Sequence, residues 1–93
     1  MIQSFGDKYT ERLFNREKIE KLSPALLQRS RSKLLIIHAA MNENDLNIPP
    51  GNRFEKLKGD KKGLCSIRIN EKWRVLFRWK KGNAFDVTIT DYH

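Results

Sequence analysis

An α+β fold is expected from three observations. Apolar residues in the first 41 positions recur at helical spacing. From about residue 54 they recur at every second position. The alternating runs are separated by short turns rich in glycine, asparagine and lysine. At 93 residues there is room for one core, so residues 1–93 are read as a single domain.

Ile2 to Phe5 alternates apolar with polar and suits a first strand. Asp7 can cap a short helix over Lys8 to Asn15, with Tyr9, Leu13 and Phe14 near one face. Ser23-Pro24 places a capping hydroxyl before a proline in the first turn, which starts a second helix running to about Met41. Leu27, Leu34, Ile37 and Met41 form its inner stripe, and Ser30 on the same stripe allows close packing. Asn42 to Asn52 reads as loop, ending in the turn Pro49-Pro50-Gly51-Asn52.

Four strands follow. Phe54–Lys58 and Leu64–Ile69 flank the loop Gly59 to Gly63; Asn70-Glu71 turns into Lys72–Trp79; Lys80-Lys81-Gly82-Asn83 turns into Ala84–Thr90. The arrangement is an N-terminal strand and two helices packed on one face of a curved, mostly antiparallel sheet. Alternation puts Cys65, Ile67, Ile69, Trp73, Val75, Phe77, Trp79, Phe85, Val87 and Ile89 toward the helices. The outer face then carries Ser66, Arg68, Arg74, Arg78 and Thr88. Guanidinium groups on an open face offer fixed forks of donors for phosphate.

The charge is as uneven as the pattern. The net charge is +8, and residues 53 to 81 alone hold 11 basic and 3 acidic groups, so that segment accounts for all of it. A polyanionic partner explains this better than solubility alone. The basic set there includes Arg53, Lys56, Lys61, Lys62, Arg78, Lys80 and Lys81, the residues expected to contact that polyanion. No apolar run approaches the roughly 18 residues needed to cross a membrane. The opening residues lack the basic head and apolar stretch of a signal peptide, and the single Cys65 has no internal partner. A cytoplasmic protein without membrane contact is expected. There is no Cys/His cluster at metal spacing, so neither a metal nor any other cofactor is expected.

The chain ends Thr90-Asp91-Tyr92-His93, beside the expected basic face. Metal-free internal RNA cleavage needs a base for the ribose 2′-hydroxyl, an acid for the leaving 5′-oxygen and cations for the charge on phosphorus-bound oxygens. A histidine near neutral pH serves as acid or base. From residue types alone the same three side chains are also consistent with a plain surface. His38 reads as a packed structural histidine and Cys65 as a buried, inert thiol. Trp73 and Trp79 read as core, and the Gly59/Gly63 pair as a hairpin feature rather than a phosphate loop.

Met1 to Phe5, Tyr9-Thr10, the run from Pro49 through Leu57-Lys58-Gly59-Asp60, Ser66 to Asn70, Trp73-Arg74 to Trp79, and Asp91-Tyr92-His93 together resemble the HigB toxins, the plasmid maintenance killer branch of the RelE/ParE superfamily. The resemblance spans essentially the whole chain. It implies the RelE-like α+β domain and a toxin of a type II toxin–antitoxin system. It implies cleavage of mRNA in the ribosomal A site, on the 30S subunit, leaving 2′,3′-cyclic phosphate ends and arresting translation. It also implies a HigA-like helix-turn-helix antitoxin, with operator DNA bound only through that antitoxin. By matched position His93 is the principal acid/base group, with Asp91 and Tyr92 in the same motif. Lys58, Arg68 and Arg74 form a cationic clamp. Some members of the family have a histidine where this chain has Glu55, so a two-histidine mechanism is closed to it and the glutamate stands as base. Two other readings stay open at this level. One is a non-catalytic, ParE-like toxin acting on a protein such as DNA gyrase. The other is a plain RNA-binding module.

Overall fold

A computed structural model describes residues 1–17, 19, 22–61 and 63–91. Helix α1 spans Lys8–Phe14 and opens as expected: the Asp7 carboxylate accepts the Thr10 N–H at 2.7 Å. The same carboxylate also accepts from the Thr88 hydroxyl, tying the helix start to the sheet. Burial pushes the Asp7 carboxyl up, but the bonds from Thr88 and Thr10 outweigh it and hold its pKa below the usual aspartate value. Helix α2 spans Pro24–Ala39, with the Ser23 hydroxyl capping Leu26 N–H at 3.2 Å. Ser30, Leu34 and Ile37 are buried along its inner stripe. The helix ends two residues before the expected Met41, which is 82% exposed and outside the stripe.

The expected loop from 42 to 52 contains more structure than its composition suggests. Asn42 caps a four-residue helix α3, Glu43–Leu46, and Leu46 is fully buried against the core. A single 3-10 turn follows at Pro50–Asn52. Asn52 is fully buried: its amide donates to the carbonyls of Leu46 (3.1 Å) and Ile48 (3.2 Å), and its oxygen accepts from Lys33. That side chain satisfies two carbonyls of a loop that has no ladder to hold it.

The sheet is an antiparallel meander in the order β1 (Glu55–Lys56), β2 (Leu64–Arg68), β3 (Trp73–Lys80), β4 (Asn83–Asp91). The β2–β3 turn is closed by the Asn70 side chain, which accepts from the N–H groups of Lys72 and Trp73, each at 2.8 Å. The β3–β4 turn places both Lys81 (φ 51°) and Gly82 (φ 78°) in the left-handed region, the pattern of a type I′ hairpin. The expected first strand is reduced to two parallel bridges, Ile2 to Ala84 and Phe5 to Val87, so the N-terminal segment edges β4 without forming a full strand.

The core lies between the helices and the inner sheet face. Leu13, Leu34 and Ile37 meet Ile67, Ile69, Val75, Phe77, Ala84 and Val87, with Trp73, Trp79 and Ile89 packed around them. Cys65 is buried there, and burial pushes its thiol pKa up, as for an inert cysteine. His38 is half-buried; its Nδ1 accepts the Ile2 N–H at 3.1 Å and its ring tilts on Phe14. One inward assignment is corrected. Between the pairs Arg78–Phe85 and Leu76–Thr88, β3 has one residue and β4 has two, so β4 carries a bulge at Asp86-Val87. The extra residue reverses the alternation. Ala84 faces the core, and Phe85 stands on the outer face opposite Arg78.

Candidate active site

The outer sheet face is organised in rows by the register. One row is Arg68, Arg74 and Thr90; the next is Glu55, Ser66, Leu76 and Thr88; the third is Leu64, Arg78 and Phe85. Arg68 and Arg74 stand directly opposite each other on neighbouring strands. Like charges in that position oppose pairing, which is tolerable where an anion is to be held.

Arg74 is fixed by the fold. Its Nε donates to the Ser66 hydroxyl at 2.9 Å and its Nη2 to the Arg53 carbonyl at 2.8 Å. Ser66, expected as an exposed outer residue, is therefore fully buried beneath the guanidinium. Arg53 reaches the site through a backbone conformation that alternation does not show. It follows the 3-10 turn with φ 46°, in the left-handed region, immediately after the buried Asn52. The result is a shallow cleft of about 330 Å³ lined by Arg53, Glu55, Arg68, Asn70, Glu71 and Arg74. Three arginines and two glutamates line one depression, a composition suited to holding a phosphate beside a proton acceptor. Asn52 has no place among the residues expected from the sequence, yet it anchors the turn that delivers Arg53. Its only sequence signal is its position at the end of a proline-rich turn, shortly before β1.

The other expected residues divide around this cleft. Lys58 lies outside it, in a separate depression of about 430 Å³ that is also lined by Glu43, Lys56 and the core-facing Cys65 and Trp79. There Lys56 is paired with Glu43 at 2.9 Å, and that hydrogen bond and charge hold its pKa above the usual lysine value. Arg78 is 3.6 Å from the Asp86 carboxylate on the outer face. Lys61, Lys80 and Lys81 are exposed at strand ends and turns. Asp91 closes β4 opposite Trp73, one position from the Arg74–Thr90 pair, with Lys72 Nζ at 3.7 Å from its carboxylate. Tyr92, His93 and Lys62, all expected to contribute, lie outside the described residues. Among the described residues no group of His, Cys, Asp and Glu is arranged to hold a metal ion, and no helix is long and apolar enough to cross a membrane.

A short helical layer behind a four-stranded antiparallel meander is also the fold of YoeB. The structure of the YoeB dimer from Staphylococcus aureus matches with a TM-score of 0.59 at 17% identity, covering 99% of this chain and 94% of that one. At that identity the likeness concerns the fold alone, which is RelE-like. The model of the HigB-like toxin family, described as RelE-like toxin of type II toxin-antitoxin system HigB, matches residues 3–93. Toxin HigB-1 of Vibrio cholerae serotype O1 is 44% identical over 94 residues, covering 100% of this chain and 98% of that protein. Endoribonuclease HigB of Proteus vulgaris is 30% identical over 93 residues, covering 100% of both. The chain belongs to the HigB-like family of type II toxins.

Proposed function

We propose that this toxin is an endoribonuclease that cuts mRNA in the ribosomal A site. The observation that carries the reading is the cleft in which Arg53, Arg68 and Arg74 surround the outer row bearing Glu55. The name of the Proteus vulgaris relative, an endoribonuclease, supports it. In the proposed reaction Glu55 takes the proton from the ribose 2′-hydroxyl, and the 2′-oxygen attacks the adjacent phosphorus. The 5′-oxygen of the next nucleotide leaves with a proton supplied by His93. The products are a 2′,3′-cyclic phosphate and a 5′-hydroxyl. No metal or other cofactor takes part. The three arginines stabilise the charge that builds on the non-bridging oxygens. Lys58, from its separate depression, adds positive charge for the same strand, Asp91 orients His93, and Tyr92 holds a base or phosphate beside it.

The distribution of charge supports ribosome dependence. Arg53, Lys56, Lys61, Lys62, Arg78, Lys80 and Lys81 would seat the toxin on ribosomal RNA, and that seating should weaken as salt rises. The antitoxin of this type II system would be HigA-like, with a helix-turn-helix domain through which the complex meets operator DNA in the cytoplasm.

The test is primer extension on a defined mRNA, presented naked and on ribosomes with an open A site. A cut that requires the ribosome supports the reading. Efficient cutting of naked RNA would contradict the positioning role of the ribosome. No cut by folded protein would favour a ParE-like action on a protein target, read by a gyrase inhibition assay.

A further inference from the structure

We propose that Phe85 is a stacking platform for a base of the bound RNA strand, about two nucleotides from the phosphate held at Arg68 and Arg74, and that Arg78 beside it takes a neighbouring phosphate. This rests on the nuclease reading above and adds a subsite to it.

The bulge in β4 is what creates the platform. In an unbroken ladder Phe85 would share the face of Val87 and Ile89 and enter the core. With one extra residue it is half-buried on the outer face, paired across the ladder with Arg78. Among the described residues, Leu64, Leu76 and Phe85 stand outside the buried cluster and outside the set that packs against it. Apolar side chains, one of them aromatic, are thus interspersed with arginines on this face, with Arg78 between Leu64 and Phe85 in one row.

The bulge is held in place by the N-terminal segment. Asp86 adopts φ 54°, a left-handed conformation uncommon for a residue with a side chain. Its N–H donates to the Ser4 hydroxyl at 2.9 Å, and the next N–H, of Val87, donates to the Ser4 carbonyl at 3.1 Å. Gly6 packs so closely on the far side that a Cβ there would lie 3.1 Å from the Asp86 carbonyl oxygen and 3.3 Å from Thr88 Cβ. The Asp86 carboxylate lies 3.6 Å from Arg78 Nε, the residue paired with Phe85 across the ladder.

Charge identifies the occupant. Arg68, Arg74 and Arg78 share this face, and the exposed Lys80 and Lys81 extend it. A π-face among cations fits a nucleotide strand, because every base can stack and every phosphate is anionic. Arg74 and Arg78 are four residues apart on one strand, roughly 13 Å, which an extended strand covers in about two nucleotides.

The experiment compares wild type, Phe85→Leu and Phe85→Trp in single-turnover cleavage of mRNA on ribosomes, with thermal melts alongside. Leucine keeps apolar bulk without a π-face; tryptophan restores one. Phe85→Leu should slow cleavage roughly tenfold, while Phe85→Trp stays within about twofold of wild type. The melting temperatures of all three should agree. Wild-type rate in Phe85→Leu, or equal slowing in both variants, would overturn the proposal. If wild type itself leaves the mRNA uncut, the nuclease reading fails on its own. Stacking is then read from quenching of a short RNA containing 2-aminopurine. Quenching kept by Phe85→Trp and lost in Phe85→Leu upholds the platform, and equal quenching by all three overturns it.

Discussion

Replacing Asn52 by alanine tests how the site depends on the loop before it. The amide donates to two carbonyls, of Leu46 and Ile48, and the oxygen accepts from the Lys33 ammonium. Each neutral bond is worth about 1 kcal/mol net, and one to a charged group about 1.5–3 kcal/mol. The three share one side chain and do not add fully, so the expected loss is about 3 kcal/mol. For a domain of this size that lowers Tm by roughly 12–24 °C. The measurement is urea unfolding followed by circular dichroism, with Lys33→Met as companion. Burial, with the charge of Arg29, already lowers the Lys33 pKa, so its charged form is held at some cost and Lys33→Met should lose less than half as much. Cleavage should fall as well in Asn52→Ala, even at temperatures where it is folded, because the Arg53 carbonyl that fixes Arg74 is no longer positioned. A loss under about 1 kcal/mol would refute the claim that this one side chain organises the loop.

Arg68→Gln should separate stability from activity. Removing one of two opposed guanidiniums should leave stability unchanged or raise it by about 0.5 kcal/mol, while cleavage drops; a matching loss of both in urea melts and cleavage assays would make Arg68 structural. Ser30→Ala should stabilise by roughly 1 kcal/mol. It removes the buried hydroxyl that, among the described residues, has no partner, and it improves helix propensity; a lower Tm would show that the hydroxyl has an unrecognised role. Asp7 should contribute acid sensitivity. Its folded pKa lies below 3.8, so its contribution is present above that pH and lost as pH falls through the folded value. In Asp7→Asn that component of the pH dependence should vanish. An unchanged slope of stability against pH would assign the acid sensitivity to other groups.

The sequence made most of the fold legible because its local signals agree with one another. Asp7 and Ser23 cap the helices as expected, and the alternation in β2 and β3 correctly separates Arg68, Arg74 and Arg78 from the core. What escaped it depends on single backbone conformations. The left-handed Arg53 brings a third arginine into the cleft, and the left-handed Asp86 reverses Phe85. Neither leaves a periodic trace, since each is a single backbone conformation and a bulge adds only one residue. Charge counting grouped Lys56 with the arginines, and the family resemblance grouped Lys58 with them. The structure sets them in a second depression, where Lys56 is held by Glu43 from a helix the sequence did not reveal.

The central claim is that this cleft and the terminal motif perform one reaction. The most direct measurement is single-turnover cleavage of ribosome-bound mRNA by wild type and His93→Ala, with the 3′ ends of the products identified chemically and both proteins shown to melt alike. The account predicts 2′,3′-cyclic phosphate ends from wild type and no cleavage above background from the variant. Undiminished cleavage by His93→Ala, or products bearing a 3′-hydroxyl from the start, would contradict it.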